Sequence, residues 1–197
     1  VQCNVPHEST GSRRYPLFAH FSRQCQLSDL NRQIRQGSPY PIRALCSFGL
    51  NINGYPNNKS WTTALESLDF FVDTDLFLTP TAKYADIVLP ACSSFEREML
   101  HTTPEQRIYY TPPVIAPLGQ SRADLDIICA LARRLAPEDT LLCSGAAALY
   151  DYWLSQMDLS LDILRHADEP IQLAQEPYRP LSLIHISEPT RLALISY

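Results

Sequence analysis

Asp73, Asp75, Thr79, Thr81 and Glu96 fall within one stretch, Leu68–Glu96, which reads LDFFVDTDLFLTPTAKYADIVLPACSSFE. Carboxylates and hydroxyls at that density, set between two short apolar runs, make a polar loop suited to gripping a ligand. A second polar segment, Gly49–Asn58, contains two glycines and four asparagines. Glycine lets backbone N–H groups approach a phosphate closely, which makes Gly49, Asn51 and Asn53 candidate contacts. The same composition also fits a plain connecting loop. The carboxylate of Asp75 or of Asp73 can accept from a ribose hydroxyl or from the N1–H and N2–H pair of guanine, and either can instead cap the turn that follows it.

The elements that must position these groups follow from the apolar pattern. Ile42–Phe48, Phe70–Val72 and Ile87–Leu89 read as strands, and Ser60–Leu68 as a helix capped by Ser60 with Trp61, Ala64, Leu65 and Leu68 on one face. Thr79 and Pro80 start a further short helix, with Thr79 as its cap. Residues 42–89 thus alternate β–α–β–α–β, the signature of a parallel sheet. In such sheets, ligands sit beyond the carboxyl ends of the strands. Three segments fall there: Gly49–Asn58, Asp73–Thr81 and Pro90–Glu96.

Around this centre, Ser28–Gln36 reads as a helix capped by Ser28 and ended by Gly37, and Arg107–Tyr110 as a strand candidate. Ser121–Leu135 is the clearest helix, with Ser121 and Asp124 as a capping box, and Gly145–Met157 is a second amphipathic helix. His7 and His20 read as exposed loop residues. A nicotinamide-binding fold would carry a glycine fingerprint after its first strand, and Gly49–Gly54 lacks one.

Bulk properties exclude several classes. The 197 residues carry a net charge of −5 without a basic run, which argues against nucleic acid as a partner. No apolar stretch is long enough to insert in a bilayer. The six cysteines are scattered without a CxxC pair, a pattern of reduced thiols and not of a metal framework. Val1 opens the chain, which reads as an internal piece of a longer gene. Leu181–Arg191 spells LSLIHISEPTR, the translation of a common transposase-type sequencing adapter. Leu181–Tyr197 is accordingly set aside as non-native, and His185 and Glu188 receive no role.

Longer phrases carry a resemblance. PYPIRAL at 39–45, SFGLN at 47–51, the stretch 68–97 and PxGxSRxDxxIIxxLARRL at 117–135 resemble the molybdopterin oxidoreductase family, the dimethyl sulfoxide reductase superfamily. The likeness runs over about residues 35–157. It implies a Rossmann-like, three-layer α/β fold, a partial parallel sheet flanked by helices within a larger multidomain enzyme. The expected organisation is an upstream remnant over 1–37, the cofactor-binding α/β domain over 38–160, an irregular linker over 161–180 and the non-native tail over 181–197.

By position, Gly49 and Asn51 match the family's first loop, Asp75, Thr79 and Thr81 its second, and Glu96 the acid after the third strand. The resemblance implies molybdopterin guanine dinucleotide, two per enzyme, carrying molybdenum or tungsten. It also implies a [4Fe-4S] cluster bound upstream, a small-molecule substrate and an electron-transfer iron–sulfur subunit. The compartment is open between bacterial cytoplasm and periplasm. No catalytic residue or metal ligand is assigned here, and Cys3 and Cys25 are rejected as metal thiolates by position. Two departures stand out: Asn51-Ile52 replaces the family's frequent Asn-Pro, and residues 97–107 keep only the arginine of its usual run. The PYPIRAL wording resembles anaerobic bacterial members that include hydratases and catechol-type dehydroxylases. Two other readings remain: a non-catalytic homologue of the complex I iron–sulfur subunit type, and a nicotinamide-binding Rossmann module.

Overall fold

The apolar runs that flank the polar loops become strands of one parallel sheet. The structure is a computed structural model that describes residues 9–22 and 24–173. His7, Cys3 and the tail 181–197 lie outside the described residues. The described residues form two compact units, one made of residues 9–98 and 113–148, the other of 99–112 and 149–173.

The first unit opens with a short exposed helix, α1 (Pro16–Ser22), which carries His20 on its surface. Helix α2 (Leu30–Gln36) ends at Gly37 as expected, but a turn of 3-10 helix precedes it and Ser28 does not cap it. Strand β1 (Ala44–Phe48), helix α3 (Asn58–Glu66), strand β2 (Phe70–Asp75) and strand β3 (Ile87–Pro90) then give the expected alternation. The strands lie in the order β1-β2-β3, all parallel, with Cys46 beside Val72 and Val72 beside Ile87. The α/β class and the parallel sheet flanked by helices are as expected from the sequence.

Parallel pairing puts register partners on the same face. One face carries Leu45, Ser47, Phe71 and Asp73. Against it Leu30 and Ile34 of α2, Leu50, Ile52, and Trp61, Ala64 and Leu65 of α3 build the core. Trp61 is wholly buried, and its ring meets that of Tyr55 at 5.2 Å between centroids. The opposite face presents Ala44, Cys46, Phe48, Phe70 and Ile87, all exposed.

The caps differ from the sequence reading for local reasons. Asn57, in left-handed conformation, caps α3 by accepting from the Ser60 N–H, so the helix starts before Ser60 and Ser60 itself is buried. The turn of 3-10 helix at Thr81–Tyr84 has Pro80 at its start and no side-chain cap, so Thr79 does not cap it. Helix α4 (Asp124–Leu135) begins at Asp124, preceded by Ala123, and the capping box of Ser121 and Asp124 does not form. Ser121 Oγ instead lies 3.7 Å from the Cys92 thiol. A further short helix, α5 (Thr140–Ser144), is capped by Asp139.

In the second unit, strands β4 (Met99–Thr102) and β5 (Arg107–Thr111) form an antiparallel hairpin. Ile108 of β5 is buried, as are Leu149, Tyr150 and Leu154 of helix α6 (Ala146–Ser155). Residues 161–173, expected to be irregular, contain helix α7 (Leu161–Arg165) and strand β6 (Ile171–Gln172), which pairs with β5. Asp151 holds the start of α7 by accepting from the Leu161 N–H at 2.7 Å. Among the described residues no helix is long and apolar enough to cross a membrane. All described cysteines are free thiols; Cys92 and Cys129 are buried, Cys25 and Cys46 exposed.

Candidate functional site

Each strand of the parallel sheet runs out at the same edge, and each polar segment begins where its strand ends. Gly49 follows β1. Its φ of +66° is a conformation that glycine adopts at least cost, and a Cβ there would meet nothing within 4 Å. Its N–H donates to the Thr74 carbonyl at 2.8 Å, which fixes the start of the first loop against β2. Beyond it the amides organise the loop itself. Asn51 Oδ1 accepts from the Asn53 N–H at 3.1 Å, and Asn53 Oδ1 accepts from Asn58 Nδ2 at 2.7 Å. Asn51 and Asn53 are both exposed.

The second loop resolves the choice between the two aspartates. Asp75 Oδ1 accepts from the Leu76 N–H at 2.6 Å and from the Phe77 N–H at 3.4 Å, so Asp75 caps its own turn. Asp73, two residues back on β2, is wholly buried. Ser47 Oγ donates to Asp73 Oδ1 at 2.6 Å across the β1–β2 pair. Thr81 is wholly buried and its Oγ1 accepts from the Ile52 N–H at 3.1 Å, so it stitches the first loop to the second. Thr79 Oγ1 is buried and has no hydrogen-bond partner among the described residues.

The third loop is tied on both sides. The Ala91 N–H donates to the Asp75 carbonyl at 3.1 Å, joining it to the second loop. Arg122 pairs with it through the backbone: the Arg122 N–H donates to the Pro90 carbonyl at 3.1 Å, and the Cys92 N–H to the Arg122 carbonyl at 2.9 Å. Glu96 Oε2 accepts from the Ser93 N–H at 2.7 Å and its Oε1 from the Leu118 N–H at 2.6 Å. The Ser93 N–H, with that of Leu118, holds the Glu96 carboxyl below the usual carboxylate range.

The candidate residues therefore share one edge but not one task. Asn51, Asn53, Asp75, Thr81 and Glu96 all shape the loops from within, while Gly49 opens space and Thr79 keeps a buried hydroxyl without a partner among the described residues. Sequence reasoning leaves out Arg122, whose backbone sets it beside the third loop; its signal is the SRxD run at 121–124. It also misses the Ser47–Asp73 pair, since the partners lie on different strands.

Asp73 makes a prediction of its own. It is wholly buried and its Oδ2 has no partner among the described residues. Burial raises the Asp73 carboxyl above its ordinary range, Ser47 opposes that shift, and Asp75 adds to it. A raised folded-state value means that the stabilising contribution is complete at acid pH and is lost as pH rises through that value. Asp73→Asn is therefore expected to be more stable than wild type at pH 7, on the order of 1 kcal/mol, with the advantage gone at pH 3. Chemical denaturation at the two pH values checks this, and an equal difference at both would refute the buried-charge account.

A parallel sheet whose strand-end loops are cross-tied, with an open glycine and an orphan hydroxyl at the edge, defines an α/β domain with the layout of a ligand-binding edge. Comparison with known proteins specifies it. The chain belongs to the molybdopterin oxidoreductase family, which matches residues 24–134. It is 44% identical over 89 residues to a probable oxidoreductase, YjgC, of Bacillus subtilis, a match covering 45% of this chain and 8% of that protein. It is 43% identical over 98 residues to a candidate formate dehydrogenase, SH0748, of Staphylococcus haemolyticus, covering 49% of this chain and 10% of that protein. The matched stretch is thus a tenth or less of these curated relatives. Among solved structures, acetylene hydratase from Pelobacter acetylenicus superposes with a TM-score of 0.69 at 23% identity, over 81% of this chain and 22% of that one. That likeness establishes the shared fold.

Proposed function

We propose that this chain helps hold the guanine dinucleotide arm of a molybdopterin cofactor in a molybdenum or tungsten oxidoreductase that carries two such cofactors. The observation that carries the reading is the cross-tied strand-end edge: Ile52 to Thr81 and Ala91 to Asp75 join three loops, and the Thr79 hydroxyl is left without a partner among the described residues. Those residues fit the group. Gly49 provides open space for a phosphate to approach backbone, exposed Asn51 and Asn53 offer amides, and Thr79 offers a hydroxyl. Asp75 supplies the carboxylate, with Glu96 bracing the third loop.

When bound, the cofactor's metal supplies two-electron chemistry, usually with oxygen-atom transfer. The work of this chain is to bind and orient. Among the described residues there is no group of three or more His, Cys, Asp or Glu placed to hold a metal ion. The reading extends to a small-molecule substrate, an upstream [4Fe-4S] cluster and an iron–sulfur electron-transfer subunit, all of which rest on the family resemblance.

Asp75→Asn in the full-length protein is the test. The amide keeps the Oδ1 acceptor that caps the turn but loses the negative charge that guanine N1–H and N2–H would meet. Pterin and metal content are expected to fall about tenfold, the loss of one charged hydrogen bond, with thermal stability nearly unchanged. Unchanged cofactor content would remove Asp75 from the site. Binding of NAD by the same protein, without guanine dinucleotide, would support the nicotinamide reading instead.

A further inference from the structure

Away from the strand-end loops, a cavity of about 400 Å³ is lined by Arg13, Arg14 and Arg32 together with Ser9, Gly11 and Ser38. Arg14 and Arg32 are held from behind by one carboxylate. Arg32 Nε and Nη2 donate to Asp29 Oδ1 and Oδ2 at 2.8 and 2.6 Å, a bidentate pair, and Arg14 Nη1 donates to the same carboxylate at 3.3 Å. Asp29 is buried, whereas Arg14 keeps 58% and Arg32 35% of its side-chain surface exposed.

The backbone under Arg13 and Arg14 is equally fixed. Gly11 has φ +74°, and a Cβ there would lie 2.8 Å from that of Gln26. The Arg14 N–H donates to the Gly11 carbonyl at 3.1 Å and the Gln26 N–H to the Thr10 carbonyl at 3.0 Å. Ser9 Oγ is buried at the cavity wall without a hydrogen-bond partner among the described residues.

Three guanidiniums line this cavity, and the one Asp29 carboxylate behind them is shared by Arg14 and Arg32, within a chain whose net charge is −5. We propose that the Arg13–Arg14–Arg32 cavity is a binding site for a phosphate dianion, distinct from the cofactor edge. Planar forks with several N–H donors match the oxygens of a phosphoryl group. The pinning of Arg14 and Arg32 by Asp29, and of the backbone by the Gly11 turn, reduces the ordering cost of binding. A lining of several guanidiniums favours a dianion over a monocarboxylate. The cavity shares no residue with the three loops, since Ser38 leads into the start of β1 and the loops follow the strand ends.

A free phosphate ion and the phosphoryl group of a nucleotide share this chemistry. The test titrates the full-length protein with inorganic phosphate, adenosine monophosphate and acetate at constant ionic strength, read by calorimetry and by melting temperature. Phosphate is expected to bind and raise the melting temperature, and acetate is not. Arg13→Gln and Arg14→Gln, both at exposed positions, are each expected to weaken phosphate binding about tenfold. Arg43→Gln, which removes an exposed arginine paired with Asp69, is expected to leave it intact. Tighter binding of the nucleotide than of phosphate assigns the site to a phosphorylated nucleoside, and equal affinities assign it to the free ion. Absence of a phosphate effect beyond that of acetate, or an effect that the Arg13→Gln/Arg14→Gln double variant retains, overturns the proposal.

Discussion

Trp61→Ala is expected to destabilise the first unit by about 3–5 kcal/mol, the usual cost of removing a large buried aromatic side chain. Trp61 has no exposed surface and packs among Leu30, Ile34, Leu65 and Phe71, the residues that join α2 and α3 to β2. Those neighbours come from three separate elements, so the void cannot close by a shift of one. Natural domains have about 5–15 kcal/mol of total stability, and the variant is expected to be partly unfolded at physiological temperature. The denaturant midpoint measures the loss. Trp153→Ala, at a position 42% exposed, is the contrast and is expected to move it far less. Equal shifts in the two variants would mean that Trp61 does not anchor this core.

The second large effect belongs to Thr81. Thr81→Val keeps the shape and removes the oxygen that receives the Ile52 N–H. Both residues are buried, so the orphaned donor costs about 1–3 kcal/mol. The same change frees the first loop from the second, and in the full-length protein it is expected to lower retained pterin more than stability alone accounts for. Thr81→Ser, which keeps the acceptor, is expected to restore most of both. A valine variant that retains full pterin content would show that the loop tie does not shape the cofactor edge.

The sheet is legible in the sequence because its strands are short apolar runs rich in β-branched and aromatic residues, bounded by turn residues. Phe70–Val72 and Ile87–Leu89 fall inside β2 and β3. Helix starts are harder. Ser60 is an acceptable cap by type, but Asn57 tolerates the left-handed conformation and takes that position first. Ser121 and Asp124 have the spacing of a capping box, yet Ser121 is drawn toward the Cys92 thiol and the backbone beside it pairs with the third loop. β4 escapes a sequence reading because Met99–Thr102 alternates weakly and pairs only through a hairpin to β5.

The candidate edge divides in the same way. Which loops converge follows from topology. What each side chain does there depends on partners far away in sequence: Thr81 with Ile52, 29 residues away, and Asp73 with Ser47, 26 residues away. No periodicity encodes such pairs. Asp75 is open by sequence between ligand contact and turn cap, and geometry gives it the cap. The cap uses Oδ1 alone, so the two readings are not exclusive in chemistry.

The second face of the parallel sheet bears on how the isolated chain behaves in a tube. Phe48, Phe70 and Ile87 expose 38%, 43% and 46% of their surface on it, although parallel sheets are ordinarily covered on both sides. An uncovered apolar plane next to edge strands invites contact with apolar surface on a second molecule. What shields that plane therefore governs how concentrated a solution of this polypeptide stays clear.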